Sequence, residues 1–180
     1  MDPGVSSMPV EVHLASTIVQ GQIVTRHRRL SDYLNAKTSD GTIRLEAAEI
    51  RSLMTHRVYQ RSSSILIYER HIIFVVDLSS SNSLTADDLG LRWAHRQPHK
   101  VRMDMGTSWL EGEVHLVPGS ELTSFAEGKS SFIPLTKARL NDDIKSEPRT
   151  FLINREKVNW IMAQNEATQM KRYYIRAAHN

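Results

Sequence analysis

Val10, Val12 and Leu14 alternate with polar neighbours at a period of two, the signature of a strand with one buried face. Val19, Gly21 and Ile23 carry the alternation into a second strand, where the glycine marks a bend or a close backbone approach. Ile43 and Leu45 share one face of a third strand, but Ala48 and Ile50 have the opposite parity. A bulge or sharp bend inside that strand reconciles the two pairs. Ile65 and Ile67, then Ile72, Phe74 and Val76, change parity again across Tyr68-Glu69-Arg70-His71. That switch predicts two strands joined by a short hairpin loop. Between the second and third strands, Leu30, Tyr33 and Leu34 have the i, i+3, i+4 spacing of one short helical face. Asn35 and the later Asp40-Gly41 supply stop and turn signals behind it.

The same pattern runs through the chain twice. Val10-Glu11-Val12 aligns with Val101-Arg102-Met103, and Gly21 falls on Gly112 at the same offset of 91. Leu30-Ser31-Asp32-Tyr33 pairs with Leu122-Thr123-Ser124-Phe125, and Ile43, Leu45, Ala48 and Ile50 meet Ile133, Leu135, Ala138 and Leu140. Ile65 to Val75 then aligns without a gap on Phe151 to Ile161, placing Ile67 on Ile153 and Phe74 on Trp160. Matching blocks in the same order predict one small β-rich module used twice, at roughly residues 10–76 and 101–162. In domain terms, an N-terminal tail covers 1–9, the first module 10–78, a linker 79–100, the second module 101–163 and a C-terminal helix 164–180.

The linker opens on the polar run Ser79-Ser80-Ser81-Asn82-Ser83, a flexible composition. Thr85 then caps a predicted helix from Ala86 to about Arg96, with Asp87 and Asp88 near its N-terminal dipole and Pro98 as its stop. Met170, Tyr173, Tyr174 and Ala177 form the apolar stripe of a second predicted helix, Asn165 to about Ala178. The expected fold is therefore mainly β: two tandem, five-stranded, strongly bent modules with short helical insertions, a linker helix and a C-terminal helix.

Composition narrows the chemistry. The 180 residues contain no cysteine, which removes disulfides, thiolate metal sites and cysteine nucleophiles together. No signal-peptide core stands at Met1 to Met8, and the longest apolar run, Ile72 to Val76, is far short of the ~20 residues of a membrane helix. A cytoplasmic protein without membrane contact is the expectation. The net charge of +3 is unevenly spread. Arg26-His27-Arg28-Arg29 is one basic cluster, Arg92 to Arg102 another, and Lys171, Arg172 and Arg176 flank two tyrosines. Basic clusters with aromatics suit a nucleic-acid surface, and they suit an ordinary solvated face equally well.

The strand pattern resembles a known family. Val10-x-Val12-x-Leu14, Gly21, Asp32-Tyr33-Leu34-Asn35 and Leu45 resemble the first Sm motif of the Sm/LSm proteins, and Ile65 to Ile72 and Phe151 to Val158 resemble the second. Eleven positions separate Gly21 from Asp32 where the family keeps a short loop, and Glu69-Arg70 and Arg155-Glu156 stand where it has Arg-Gly. The Arg29 to Asn35 segment is also similar to one in uncharacterised bacterial proteins built on a duplicated module. The Sm resemblance implies small five-stranded barrels that close rings through their strand edges. With two modules per chain a trimer would form a pseudo-hexamer, unless the two copies pair with each other instead.

No phosphate-cradling glycine loop, His-Glu-x-x-His or Gly-x-Ser-x-Gly occurs. His95 and His99 lie four apart, but Pro98 between them argues for a surface pair rather than a metal site. The expectation is thus a non-enzyme without cofactor or metal: a binding or assembly module that acts through strand edges and loops, on itself or on a protein partner. The alternative is a single-stranded RNA-binding protein. Its site would be Arg26, Arg28 and Arg29 with Tyr68, Arg70 and His71 of the first loop and Arg155 and Lys157 of the second. Tyr33 joins that alternative as a stacking platform or, better by its place on the helical face, packs inward.

Overall fold

The structure, a computed structural model, describes residues 4–36, 41–79, 96–141, 143 and 145–164. The predicted linker helix and C-terminal helix fall outside these residues, apart from Arg96 at the end of the first. The first half carries β1 (Ser6–His13), β2 (Thr17–Thr25), α1 (Leu30–Asn35), β3 (Thr42–Ser52), β4 (Val58–Tyr68) and β5 (Phe74–Asp77). The second repeats the series as β6 (Gln97–Asp104), β7 (Trp109–Leu116), α2 (Leu122–Ala126), β8 (Phe132–Leu140), β9 (Arg149–Asn154) and β10 (Trp160–Ala163). No helix among the described residues is long and apolar enough to cross a membrane.

All ten strands join one antiparallel sheet in the order β10-β6-β7-β8-β9-β5-β1-β2-β3-β4. Read from one edge to the other, the sheet is two blocks of identical internal order. Fifth, first, second, third and fourth strands follow one another as β5-β1-β2-β3-β4 and as β10-β6-β7-β8-β9. The blocks meet where β5 pairs with β9, in the register Phe74↔Ile153, Val75↔Leu152, Val76↔Phe151.

The parity switches have physical counterparts. Between Gln20 and Gln22 the β2–β3 register shifts, and Ala47 in β3 takes a positive φ of 48°. The second block repeats the device between Glu111 and Glu113, with Lys137 at φ 48°. The extra residue turns Ala48 and Ala138 to the buried side and bends the strand. The glycine opposite each bulge makes room for it. A Cβ on Gly21 would lie 2.9 Å from the Glu46 carbonyl oxygen, and one on Gly112 2.8 Å from Ala138 Cβ, Leu135 Cγ and Thr136 O.

Two expectations change. The segments Tyr68–His71 and Asn154–Lys157 are not hairpin loops, because the strands on either side do not pair with each other. Each is a 3-10 turn, Glu69–His71 or Arg155–Lys157, that sends the chain from the fourth strand of its block across to the fifth. There β5 finds β1 and β9, and β10 finds β6. A parity change across a short polar segment is common to both solutions, so local pattern does not separate them. The strands also begin earlier than the alternation implies, at Ser6 rather than Val10 and at Gln97 rather than Val101. Ser6, Ser7 and Gln97 to Lys100 pair by backbone while their side chains stay exposed, and only Met8, half-buried against the first core, continues the apolar alternation.

Two cores result. The first gathers Val10, Val12, Val19, Ile23, Leu30, Leu34, Leu45 and Ile72, together with Phe132 and Leu152 from the second block. The second gathers Val101, Met103, Leu110, Val114, Leu135 and Ile153, together with Phe74 and Val76 from the first. The halves therefore exchange side chains across their joint. In β5, Val75 points into the first core while Phe74 and Val76 point into the second, so the strand is buried on both faces.

Candidate binding surfaces at the sheet edges and the inter-block cleft

The joint is held by more than strand pairing. Asn154, a buried polar residue, donates from its amide to the Glu69 carbonyl at 3.0 Å and the Ile72 carbonyl at 2.9 Å, and its Oδ1 accepts from the Glu156 N–H. Asn35, at the end of α1, donates to the Phe132 carbonyl at 3.0 Å and accepts from the Phe132 N–H at 2.8 Å. Each amide matches a donor with an acceptor on the other block's backbone. Burying these groups unpaired would cost about 1–3 kcal/mol each. The sequence marks Asn35 as a helix stop and as part of the Sm-like segment, but neither Asn35 nor Asn154 as a clamp.

At the outer edges the same strand types lack a neighbour. Among the described residues, β4 pairs only with β3 and β10 only with β6. Their apolar side chains are exposed where the joint's equivalents are covered. Leu152 is 1% exposed, whereas Leu66, its counterpart at an offset of 86, is 64% exposed. Phe74 and Val76 are 2% and 3% exposed, whereas Trp160 and Met162 at the same offset are 45% and 43%. Tyr68 and Tyr59 add further exposed apolar area to β4.

The eight residues expected at a nucleic-acid site are only partly brought together. Tyr68, Arg70 and Arg155 line one open cleft of about 440 Å³ between the blocks, with Lys129, Phe132 and Asn154. Arg26, Arg28 and Arg29 sit in the connection from β2 to α1 and do not line it, nor do His71 and Lys157. Within the cleft the Arg70 guanidinium lies 4.6 Å from the centre of the Tyr68 ring, and its Nε donates to His71 Nε2 at 3.2 Å. Arg155 is a structural cation: it donates to the carbonyls of Ser130 at 2.8 Å, Phe125 at 3.0 Å and Ala126, fastening α2 to the second 3-10 turn. Burial pulls its guanidinium below the usual arginine range. Tyr33 packs against the first core, edge-on to His27.

The other charged pairs serve the sheet. His13 stacks on Phe74 at 4.2 Å, and its Nε2 lies 2.6 Å from Glu11 Oε1. The His13 hydrogen bond holds the Glu11 carboxyl below its ordinary value, against the opposing effect of burial. Glu49 is held low by its bonds to Arg51 and Arg61. Arg102 pairs with Glu111 and lies 3.9 Å over the Trp109 ring, a cation–π contact. Burial lowers the His115 pKa, with Thr136 Oγ1 2.9 Å from its Nε2. Among the described residues, no three or more His, Asp or Glu side chains gather as metal ligands.

No family model, no curated protein and no solved structure matches this chain.

Proposed function

We propose that the protein is a non-catalytic assembly module that associates through the open edges of its sheet. The observation that carries this reading is the contrast between joint and edges, where equivalent strand positions are buried in one place and, among the described residues, exposed, apolar and unpaired in the other. A strand edge offers a row of unsatisfied N–H and C=O groups, and these outer edges lack the inward charges or prolines that blunt one along Ile65–Tyr68 and Trp160–Met162. The Sm-like resemblance supports the same reading, since each block repeats one strand order around a bulged third strand. The test is solution mass by light scattering over a wide concentration range. A multiple of the 20.5 kDa chain is expected at high concentration. A single-chain mass throughout overturns the proposal.

A second reading, single-stranded RNA held by the loops, is favoured by the inter-block cleft, where Tyr68, Arg70 and Lys129 offer one aromatic ring and two cations. Binding of a labelled oligonucleotide would then weaken steeply with salt and fall on Arg70→Ala. No binding at low salt removes this reading.

A further inference from the structure

The chain contains its own example of how its two edge types fit. At the joint a fifth strand, β5, receives a fourth strand, β9. Among the described residues, the two strands left open are the remaining members of the same two types, β4 and β10. An offset of 86 carries β9 onto the last turn-proximal part of β4 and β5 onto β10, so the joint can be transcribed residue by residue. We infer that β10 of one copy pairs antiparallel with β4 of a second copy, in the register Trp160↔Ile67, Ile161↔Leu66, Met162↔Ile65. This rests on the assembly reading above and deepens it by naming the partner and the contact.

The side-chain directions agree with this register. At the joint Leu152 leaves its own block and enters the first core, while Phe74 and Val76 enter the second. Transcribed, Leu66 of one copy enters the second core of its neighbour, and Trp160 and Met162 of that neighbour enter the first core of the other. These are the three residues of the segment that stand exposed, whereas Ile67 is already buried and Ile65 and Ile161 already pack on their own cores. The strand residues that need a partner and those that do not are sorted by this one pairing. Because a fourth strand meets a fifth, the contact joins two different surfaces and repeats head to tail, closing into a ring or running on as a filament.

The outer contact is weaker than the inner one. Tyr68 stands at the position of Asn154, and Glu127 and Thr42 stand where Asn35 and Phe132 meet, so the amide clamps are absent from the copy. The outer pair therefore dissociates on dilution while the blocks stay joined.

Cysteine-free wild-type chain makes the register testable by disulfide trapping. By alternation from the Asn154 N–H to Ile73 carbonyl bond, the position corresponding to Met162↔Ile65 is a close, non-hydrogen-bonded pair suited to a disulfide. Ile65→Cys and Met162→Cys chains are prepared separately, mixed and mildly oxidised. A covalent dimer is expected from the mixture and not from either chain alone. Met162→Cys with Ser63→Cys, two residues out of register, should give roughly tenfold less, since the shift adds about 7 Å. Leu66→Lys, at a site exposed in the single chain, should return the mass to one chain; an unchanged mass overturns the inference. Dimers of Ile65→Cys alone mean that like edges pair, and a multi-chain mass without the mixed disulfide means another register. Either result overturns this inference and leaves edge assembly standing, whereas a single-chain mass of wild-type protein at all concentrations overturns both.

Discussion

Glu11 and His13 occupy the same face of β1, two residues apart, and the His13 ring is covered by Phe74. The geometry gives a pH dependence of definite sign. The folded-state pKa of Glu11 lies below its ordinary 4.5, chiefly through the His13 bond. Its contribution to stability is therefore fully present above about pH 4.5 and is lost as pH falls through the folded value. Urea unfolding between pH 7 and pH 3 should show that loss, and Glu11→Gln should flatten it. An unchanged slope in the variant would show that the pair does not couple folding to protons. Single residues also mark the limit of sequence reading. Gly21 and Gly112 announced a close approach because only glycine tolerates it. The clamping role of Asn35 and Asn154 was not announced, because an amide's partner lies 97 or 82 residues away and leaves no local spacing.

Among the elements, the strands were legible wherever one face is buried and the other wet, as in β1, β2 and the start of β3. Even the bulge showed itself, since an extra residue inverts the parity that follows. The 3-10 turns did not, because a turn that crosses the block and a turn that folds back both need a few polar residues between apolar runs. The repeated strands make a paired prediction. Leu152→Ala removes a side chain from the first core and should cost about 2–5 kcal/mol in urea unfolding. Leu66→Ala changes the equivalent residue at the open edge and should stay within about 0.5 kcal/mol in dilute protein. Equal losses would mean that the edge is covered in the single chain.

For the whole molecule, the exchange of Phe132 and Leu152 for Phe74 and Val76 ties the two cores into one cooperative body. Calorimetry of the full chain should give a single transition, and Asn154→Ala should lower it without splitting it. Two separate transitions would mean that the halves stand independently. Duplication was readable from the sequence because both copies keep their apolar positions. Which strand of one copy meets which strand of the other was not, since β5 and β9 are separated by the entire second block up to its fourth strand, and any apolar run satisfies the same alternation.

The exchanged side chains also set an order in time. The first core contains Val10 and Val12, translated before the rest of it, yet its wall is closed by Phe132 and Leu152. A nascent chain that has made only its first half holds an unfinished core with β5 lacking its far neighbour. Completion of the first core waits for β9, so the half translated before the other is finished only together with it, and until then its unpaired β5 edge is open to aggregation.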